Sequence, residues 1–337
     1  MKPDYPDNIA VQSFDPAYFE SLEVDLQQRL LDCMQSGLDN PRSEVGCYAR
    51  HADDYDVLRP FFERVISRHH DTPLPIQHHS SWQVPADLDP ELDISVFGLS
   101  PLSVRMRVGR NFADLPLTSA MNKDQRLKLE NRMIEVFDQL QATSELGGTY
   151  VSLTPGHPNQ LTAAQYQNLI GQHVMFKPMD GDPYLASAGI ASDWPYGRGC
   201  YFVADHQFIV WVGEEDHLRI MCMQRGHKLR TVLDKLRQSL EVMENAAGIA
   251  FANSPDFGAI TTCPTNLGTG MRASVHLQLP CLTADRTTDR VKQIATPIGL
   301  SIRGLGGEHT PIGARGNVDC VSPKGKLSVD SIQALAN

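Results

Sequence analysis

The sequence lacks the features that would place it in a membrane or in an oxidising compartment. No apolar run approaches the roughly 20 residues that a membrane-spanning helix needs, and the N-terminal stretch MKPDYPDNIAVQSFD has no apolar signal-peptide core. The seven cysteines are odd in number and include no CxxC pair, which favours reduced thiols over a disulfide framework. We therefore expect a cytoplasmic protein without a membrane partner.

Positive charge is also scarce. Lys and Arg total 30 and Asp and Glu total 40, which gives a formal net charge of −10 at pH 7. This balance argues against a surface for polyanions, so no nucleic-acid partner is expected. Basic residues that do bind an anion must be gathered locally by the fold.

Two phosphate-binding signatures are missing as well. The chain has neither a Walker A sequence nor the glycine loop and HRD/DFG set of protein kinases. It also contains no internal repeats and no low-complexity tract. If such a chain handles ATP, arginine side chains rather than a phosphate loop must hold the phosphates.

The pattern of apolar residues indicates two domains, as expected for 337 residues. Helical spacing over 19–34 and a segment over 60–70 that opens with proline predict a small all-α domain, assigned to 1–85. The proline-rich stretch 71–90 has little periodicity and is predicted to be a linker. The second predicted domain covers 86–337.

The second domain combines helical and strand patterns. Helical spacing covers 123–141 and 228–244, whereas YFVADHQFIVWV, LRIMCMQ, GAITTC and SVHLQL have the composition of strands. Because strands follow one another without an intervening helix, an antiparallel sheet is favoured. The predicted fold class is α+β, with a small all-α N-terminal domain before a larger domain that has a mostly antiparallel sheet flanked by helices.

Charged residues recur at strand-like segments. Arg105 and Arg107 are two residues apart and would share one face of a strand. Guanidinium groups on one face repel one another unless an anion lies between them, and their forked donors suit phosphate oxygens. At the exit of another apolar strand, WVGEEDHLRIMCMQRG, acids and an arginine crowd together. Surface ion pairs and a solvated turn are the alternative explanations.

Four blocks together carry a family resemblance. VRMRVGR, WVGEEDHLRIMCMQRG, TTCPTNLGTGMRASVHLQLP and RGLGGEHT closely resemble segments of the phosphagen (guanidino) kinases, and most of all those of the arginine kinases. The resemblance runs from about residue 35 to about residue 328, and CPTNLGT is highly specific to the family. It implies an eight-stranded sheet in the larger domain and reversible transfer of the γ-phosphoryl group of ATP to a guanidine nitrogen.

The resemblance also implies a nucleotide site. The family's phosphate-binding arginines match Arg105, Arg107, Arg219, Arg272 and Arg303. Other positions that line this site match Ser103, His173 and His276, and a residue near the adenosine matches Asp319. ATP or ADP and Mg²⁺ are the implied cofactors. The metal is held by phosphates and water rather than by direct protein ligands, and Glu214 reaches it through water.

On the guanidine side, the resemblance implies catalytic and substrate-binding roles for Glu215, Glu308 and Cys263. A guanidinium is a poor nucleophile because its nitrogen lone pair is delocalised, so carboxylates must orient it and accept a proton. Cys263 matches a reactive thiolate, and we expect its pKa to be lowered by the substrate cation and by the Thr265 hydroxyl. An inert core cysteine is the alternative.

The expected substrate is L-arginine, which would give phosphoarginine and ADP. The substrate-binding residues Ser43, Glu44, Val45, Gly46 and Tyr48 match the arginine kinase pattern SGVGIY of the family's specificity loop. Backbone N–H groups of this short loop and the Tyr48 hydroxyl would meet the α-carboxylate of an amino acid. Glu44 replaces a glycine, and its carboxylate would weaken arginine binding unless it points to solvent.

Several alternatives stay open on the sequence alone. They are a kinase for another guanidine such as taurocyamine, an inactive nucleotide- or guanidine-binding regulatory protein, and a protein-arginine kinase; the chain could be a monomer or a homodimer. The glycine-rich residues 303–317 resemble the family's catalytic lid, although Gly306 stands where arginine kinases usually have arginine. The histidine pairs at 69–70 and 78–79 are predicted to be solvent-exposed loop residues rather than metal ligands.

Overall fold

A computed structural model describes residues 7–79, 91, 93, 95, 101–141, 145–298, 300–303 and 317–321. Within these residues, no helix combines the length and apolar character needed to cross a bilayer. Residues 304–316, which include Glu308, Gly306 and most of the lid-like segment, lie outside this part of the chain.

The described N-terminal residues form five helices: α1 (Ile9–Ser13), α2 (Pro16–Ser21), α3 (Val24–Asp39), α4 (Asp54–Val57) and α5 (Arg59–His70). Asp15 caps α2 through its side-chain oxygen. The continuous helix predicted over 19–34 is wrong at one point, because the chain is extended at Leu22, between α2 and α3. The Ser21 hydroxyl donates to the Tyr18 carbonyl at 2.7 Å, and such a bond competes with continuation of a helix.

The second part contains helices and strands in alternation. Its helices are α6 (Lys123–Leu140), α7 (Ala163–Gly171), α8 (Pro183–Ser187), α9 (Leu229–Ala247) and α10 (Asp289–Ala295). Its strands are β1 (Pro101–Arg110), β2 (Thr149–Ser152), β3 (Gly199–Phe202), β4 (Phe208–Val212), β5 (Leu218–Arg225), β6 (Asn253–Ser254), β7 (Gly258–Ala259), β8 (Met271–Gln278), β9 (Ser301–Arg303) and β10 (Asn317–Val321). Pro264–Asn266 and Thr296–Ile298 are 3₁₀ turns.

Eight of these strands form one sheet in the order β2-β3-β4-β5-β1-β8-β10-β9, and every neighbouring pair among the described strands is antiparallel. The predicted α+β class and antiparallel sheet are therefore confirmed, and the helical patterns over 123–141 and 228–244 correspond to α6 and α9. Of GAITTC, only the two residues of β7 form a strand. The residues after β7 bond instead to side chains of the site described below.

The two faces of the sheet differ in character at β1. On β1, Val104, Met106 and Val108 are buried in a core with α6 and α9, which cover that face. The alternate residues of β1 include Arg105 and Arg107, which therefore point to the opposite face. Strict alternation in one central strand separates the apolar core from a basic surface.

The N-terminal helices share their core with the larger part of the chain. Leu117, Ala252, Phe257 and Ile260 pack into the apolar cluster formed by α1, α3 and α5. This shared core fixes the N-terminal helices against the end of the sheet that carries the charged residues. The predicted boundary between 85 and 86 lies outside the described residues.

The predictions for the linker and for the histidine pairs agree with the structure only in part. Residues 71–79 contain neither helix nor strand, as predicted. His69 and His70 are not loop residues, because α5 extends to His70, whose Nε2 hydrogen-bonds the Pro264 carbonyl at 3.0 Å. His78 is half-buried and His79 is exposed.

Candidate active site

The register of the sheet gathers arginines on one face. Arg107 on β1 is paired with Arg272 on β8, and Gly109 on β1 is paired with Arg219 on β5. Paired residues of an antiparallel sheet lie on the same face, as do alternate residues of one strand. Arg105, Arg107, Arg219 and Arg272 consequently occupy one patch at the centre of the sheet, which we call the arginine face.

The arginine face carries a strong positive potential. Burial and the nearby Arg219, Arg272 and Arg105 guanidinium groups lower the pKa of Arg107 well below its usual range. Glu214 opposes this effect only in part. Guanidinium groups in such a cluster are stabilised by an anion that contacts several of them at once. The geometry therefore suits a polyphosphate.

Beside the arginine face, the chain turns from β4 to β5 through residues 213–217, which we call the acid turn. Arg219 bridges its two glutamates: Nη1 donates to Glu214 Oε1 and Nη2 donates to Glu215 Oε2, each at 3.0 Å. The exposed fractions of these side chains are only 13% for Arg219, 15% for Glu214 and 18% for Glu215. The acid turn and the arginine face thus meet at Arg219.

Opposing effects act on the pKa of the Glu215 carboxyl group. Burial raises the pKa of Glu215, and the neighbouring Glu214 and Asp216 carboxylates raise it further. The guanidinium groups of Arg219 and Arg272 act in the opposite direction. A carboxylate with a raised pKa is a better proton acceptor than one exposed to water.

Three side chains that the sequence analysis did not single out hold the acid turn in place. Asn111 donates to Asp216 Oδ1 at 2.7 Å and accepts from the His217 backbone N–H at 2.8 Å. Thr118 donates to the Glu215 carbonyl and shares a hydrogen bond of 3.1 Å with the Thr262 hydroxyl. The acidic run did mark Asp216, but no local pattern marks Asn111, Thr118 or Thr262.

His217 supports the same turn as a neutral residue. Its Nδ1 accepts from the Phe112 backbone N–H at 3.0 Å, so Nε2 carries the proton and donates to the Pro116 carbonyl at 2.7 Å. Burial lowers the pKa of His217 to about 4. Its role is structural support beneath the acids.

Cys263 ends the stretch 260–263, which we call the thiol segment, and lies beside the acid turn. The Thr262 backbone N–H donates to Asp216 Oδ1 at 2.7 Å, and Cys263 Sγ lies 3.1 Å from Thr265 Oγ1. The expected lowering of the thiol pKa is not produced by the protein's own groups. Burial raises the pKa of Cys263 well above its usual range and the Glu215 carboxylate adds to the rise, although Thr265 opposes both.

The predicted specificity loop reaches this site from the N-terminal helices. Ala49 donates from its backbone to the Thr262 carbonyl at 2.8 Å, which joins the loop to the thiol segment. Burial raises the pKa of Tyr48, and Cys263 and Glu215 are the next largest contributors to that rise. The Tyr48 hydroxyl therefore lies in the same electrostatic environment as both groups.

The shape of the loop is set by local bonds. Ser43 Oγ accepts from the Gly46 backbone N–H at 3.0 Å. Gly46 has φ +75°, and a Cβ there would collide with the Asn8 side chain, so only glycine fits. Glu44 is exposed and Val45 is half-buried.

Two family models match this chain. The model of the ATP:guanido phosphotransferase C-terminal catalytic domain matches residues 128–335, more than half of the chain, and that of the N-terminal domain matches residues 18–67. The chain belongs to the ATP:guanido phosphotransferase family.

Two relatives of this family show the extent of the similarity. The arginine kinase of Limulus polyphemus is 36% identical over 308 residues, which cover 91% of this chain and 81% of the relative. The arginine kinase of Artemia franciscana is 35% identical over 321 residues, which cover 94% and 84%, respectively. The chain is thus similar to arginine kinases over most of both lengths.

Solved structures of the family share the fold. The substrate-free duplicated taurocyamine kinase from Schistosoma mansoni superimposes with a TM-score of 0.79 at 28% identity; the match covers 98% of this chain and 46% of that one, so this chain spans about half of the duplicated protein. Lombricine kinase also gives a TM-score of 0.79, at 24% identity, with 100% of this chain and 90% of that chain covered.

The remaining positions expected of an ATP:guanido phosphotransferase are placed less fully. Ser103 and His276 are paired between β1 and β8, and Asp319 on β10 is in register with both His276 and Arg303. The side chains of Asp319 and Arg303, and all of Glu308, lie outside the described residues. His173 is exposed in the loop after α7, where its backbone N–H donates to the Ile170 carbonyl at 3.0 Å.

The described part of the chain contains no set of protein side chains that could by itself coordinate the metal expected of this family. No group of three or more His, Cys, Asp or Glu side chains there could hold a metal ion. The Glu214 carboxylate, which lies at the junction of the acid turn and the arginine face, offers oxygen atoms suited to this metal. Such a site fits Mg²⁺ that arrives with phosphate oxygens and keeps several waters.

Proposed function

We propose that this chain transfers the γ-phosphoryl group of MgATP reversibly to the guanidino group of L-arginine, giving phosphoarginine and ADP. One observation carries the proposal: a cluster of partly buried arginines and a pair of partly buried glutamates meet at Arg219. The arginines suit the phosphate chain, and the glutamates suit a guanidinium. The two substrates would therefore meet where their charges are complementary.

The proposed roles follow from the chemistry of the transfer. Arg105, Arg107, Arg219 and Arg272 would hold the phosphates and stabilise the charge that spreads over the transferred group. Mg²⁺ would neutralise phosphate charge, with Glu214 oriented toward it through water. These groups position the phosphoryl donor and need no covalent step on the protein.

Glu215 would orient the guanidinium and accept its proton as the N–P bond forms. Its raised pKa suits a base that must work near neutral pH. The substrate cation would also lower the pKa of Cys263, because it would supply the positive charge that the protein's own groups do not provide at the thiol. Arg303 and Glu308 are proposed to complete the site.

The proposal of L-arginine as substrate rests on the specificity loop. Within the described residues, the backbone N–H groups of Glu44 and Val45 donate to no protein acceptor. They are therefore available for the α-carboxylate of an amino acid, and the Tyr48 hydroxyl would approach the same substrate. Because Glu44 is exposed, its carboxylate need not oppose that of the substrate.

Taurocyamine is the second candidate substrate. It is favoured by the structural likeness to the Schistosoma mansoni taurocyamine kinase. A sulfonate differs from an α-carboxylate in geometry and lacks the neighbouring amine, so the two substrates place different demands on the loop.

A coupled ADP-release assay with L-arginine, taurocyamine, lombricine and creatine tests the proposal. We expect kcat/KM to be highest for L-arginine and to fall for that substrate in Tyr48→Phe. A higher value for taurocyamine would overturn the choice of substrate and leave the reaction standing. Absence of transfer to all four guanidines would overturn the proposed function.

A further inference from the structure

We propose that Asn111 is a positioning residue that sets the distance between Glu215 and Cys263. Its side chain links the acid turn to the thiol segment, although it lies more than a hundred residues from either in sequence. The inference rests on the proposed function, because it concerns the two groups expected to contact the guanidine.

Asn111 uses both of its amide protons and its amide oxygen in this link. Nδ2 donates to Asp216 Oδ1 at 2.7 Å and to the Ile260 carbonyl at 3.0 Å, while Oδ1 accepts from the His217 backbone N–H at 2.8 Å. A carboxamide is the side chain that offers two donors and an acceptor in one plane. Asn111 and His217 are fully buried, so water cannot replace these bonds.

The Asp216 carboxylate has little room to move within this link. Its Oδ1 accepts from both Asn111 and the Thr262 backbone N–H, whereas its Oδ2 has no hydrogen-bond partner among the described residues. A Cβ on Gly109 would lie 2.6 Å from Oδ2, so the carboxylate fills that space completely. The side chain is drawn toward Asn111 and Thr262 on one side and limited by Gly109 on the other.

The position of Asp216 determines the positions of its sequence neighbour Glu215 and of Cys263. Glu215 immediately precedes Asp216, and Cys263 immediately follows Thr262. A shift in the bonds at Asn111 therefore changes the spacing between the Glu215 carboxylate and the Cys263 thiol. The backbone that carries the arginine face is held separately by the ladder of β1, β5 and β8, although the Arg219 side chain does pair with the acid turn. Loss of Asn111 should thus disturb the guanidine side and spare the nucleotide side.

The test uses Asn111→Leu, which preserves volume and removes all three bonds, and Asn111→Ser, which is smaller and retains a hydroxyl. Leu140→Ala is the matched control, because Leu140 is fully buried in the core behind the sheet and lies outside the site. For each variant, kcat and KM for the guanidine, the Kd of MgADP, the melting temperature and backbone hydrogen exchange are measured.

We expect kcat to fall about 100-fold in Asn111→Leu, the cost typical of a misplacement of about 1 Å. Asn111→Ser should lie between that variant and the parent, and the MgADP Kd should be unchanged in both. Exchange at residues 213–218 and 262–263 should be faster in the Asn111 variants than in Leu140→Ala. If Asn111→Leu does not fold, Asn111→Ser decides the question by the same measurements.

Two results would overturn the proposal. One is a kcat in the folded Asn111 variants within twofold of the parent. The other is a joint loss of kcat and MgADP affinity in proportion to melting temperature, as a purely structural role predicts. If the parent transfers no phosphoryl group, the proposed function fails, and the exchange data alone then decide whether Asn111 holds the two segments together.

Discussion

Replacing Glu215 by glutamine is the sharpest perturbation of the site. Glutamine keeps the shape and one oxygen that can accept from Arg219, but it has no charge and cannot take up the substrate proton. Loss of a general base typically reduces a rate by about 10² to 10⁴. We therefore expect kcat of Glu215→Gln to fall about 1,000-fold, equivalent to roughly 4 kcal/mol of barrier.

The structure supplies an unusually close control for this experiment. Glu214→Gln breaks an ion pair with the same arginine at the same distance of 3.0 Å and at nearly the same burial. The two variants therefore lose similar ion-pair energy, and a difference between them reports the role of the carboxylate toward substrate. We expect kcat of Glu214→Gln to fall about tenfold, because its proposed contact with Mg²⁺ runs through water.

The assay compares kcat, KM for the guanidine and the Kd of MgADP for the parent and both variants. Nucleotide affinity should not fall, because the arginines of the arginine face are intact and Arg219 loses only a carboxylate that competes with the phosphates. Transition-state roles lower kcat rather than ground-state binding. Equal losses of kcat in the two variants, or a Glu215→Gln enzyme within a few-fold of the parent, would refute the assignment of Glu215 as the base.

Two further outcomes follow from groups around the site. The pKa of His217 is lowered to about 4 from an ordinary value of 6.5, so the unfolded chain takes up a proton first as pH falls. The stability that neutral His217 contributes is present above pH 6.5 and is lost as pH falls toward 4, by up to roughly 3 kcal/mol. Urea unfolding across this range should show that loss in the parent and a flatter profile in His217→Gln; parallel profiles would contradict it. Gly46→Ala should lower stability by about 2 kcal/mol and raise KM for the guanidine, because a Cβ would strike Asn8. Gly156→Ala, with φ +81° and open space around the Cβ, should cost only about 1 kcal/mol of stability and leave KM unchanged. Equal effects of Gly46→Ala and Gly156→Ala on KM would contradict the proposed role of the loop in substrate binding.

The parts of the fold that could be predicted from sequence are those set by local periodicity. The spacing of Arg105 and Arg107 in VRMRVGR predicted that the two share one face of a strand, and in β1 they do. The helical spacing over 123–141 and 228–244 likewise located α6 and α9. In each case neighbouring residues carry the information.

The parts that sequence could not supply depend on distant contacts. Asn111 bonds the Ile260 carbonyl across 149 residues, and no local pattern marks such a pairing. The pKa of Cys263 is raised by burial and by Glu215, neither of which is visible in CPTNLGT. The break at Leu22 was missed for a different reason. Helical apolar spacing does not reveal that the Ser21 hydroxyl bonds the Tyr18 carbonyl and competes with continuation of the helix.

The bridging ion pairs of Arg219 have a thermodynamic consequence for the two substrates. In the protein itself, Arg219 takes up one oxygen of Glu214 and one of Glu215. An anion that attracts this guanidinium toward β1 and β8 releases Glu215 for a different cation. By reciprocity, a cation that occupied Glu215 would release Arg219 for the anion, and each ligand would raise the affinity of the other by the same factor. Exchange of counterions at one side chain thereby favours the ternary complex over either binary one.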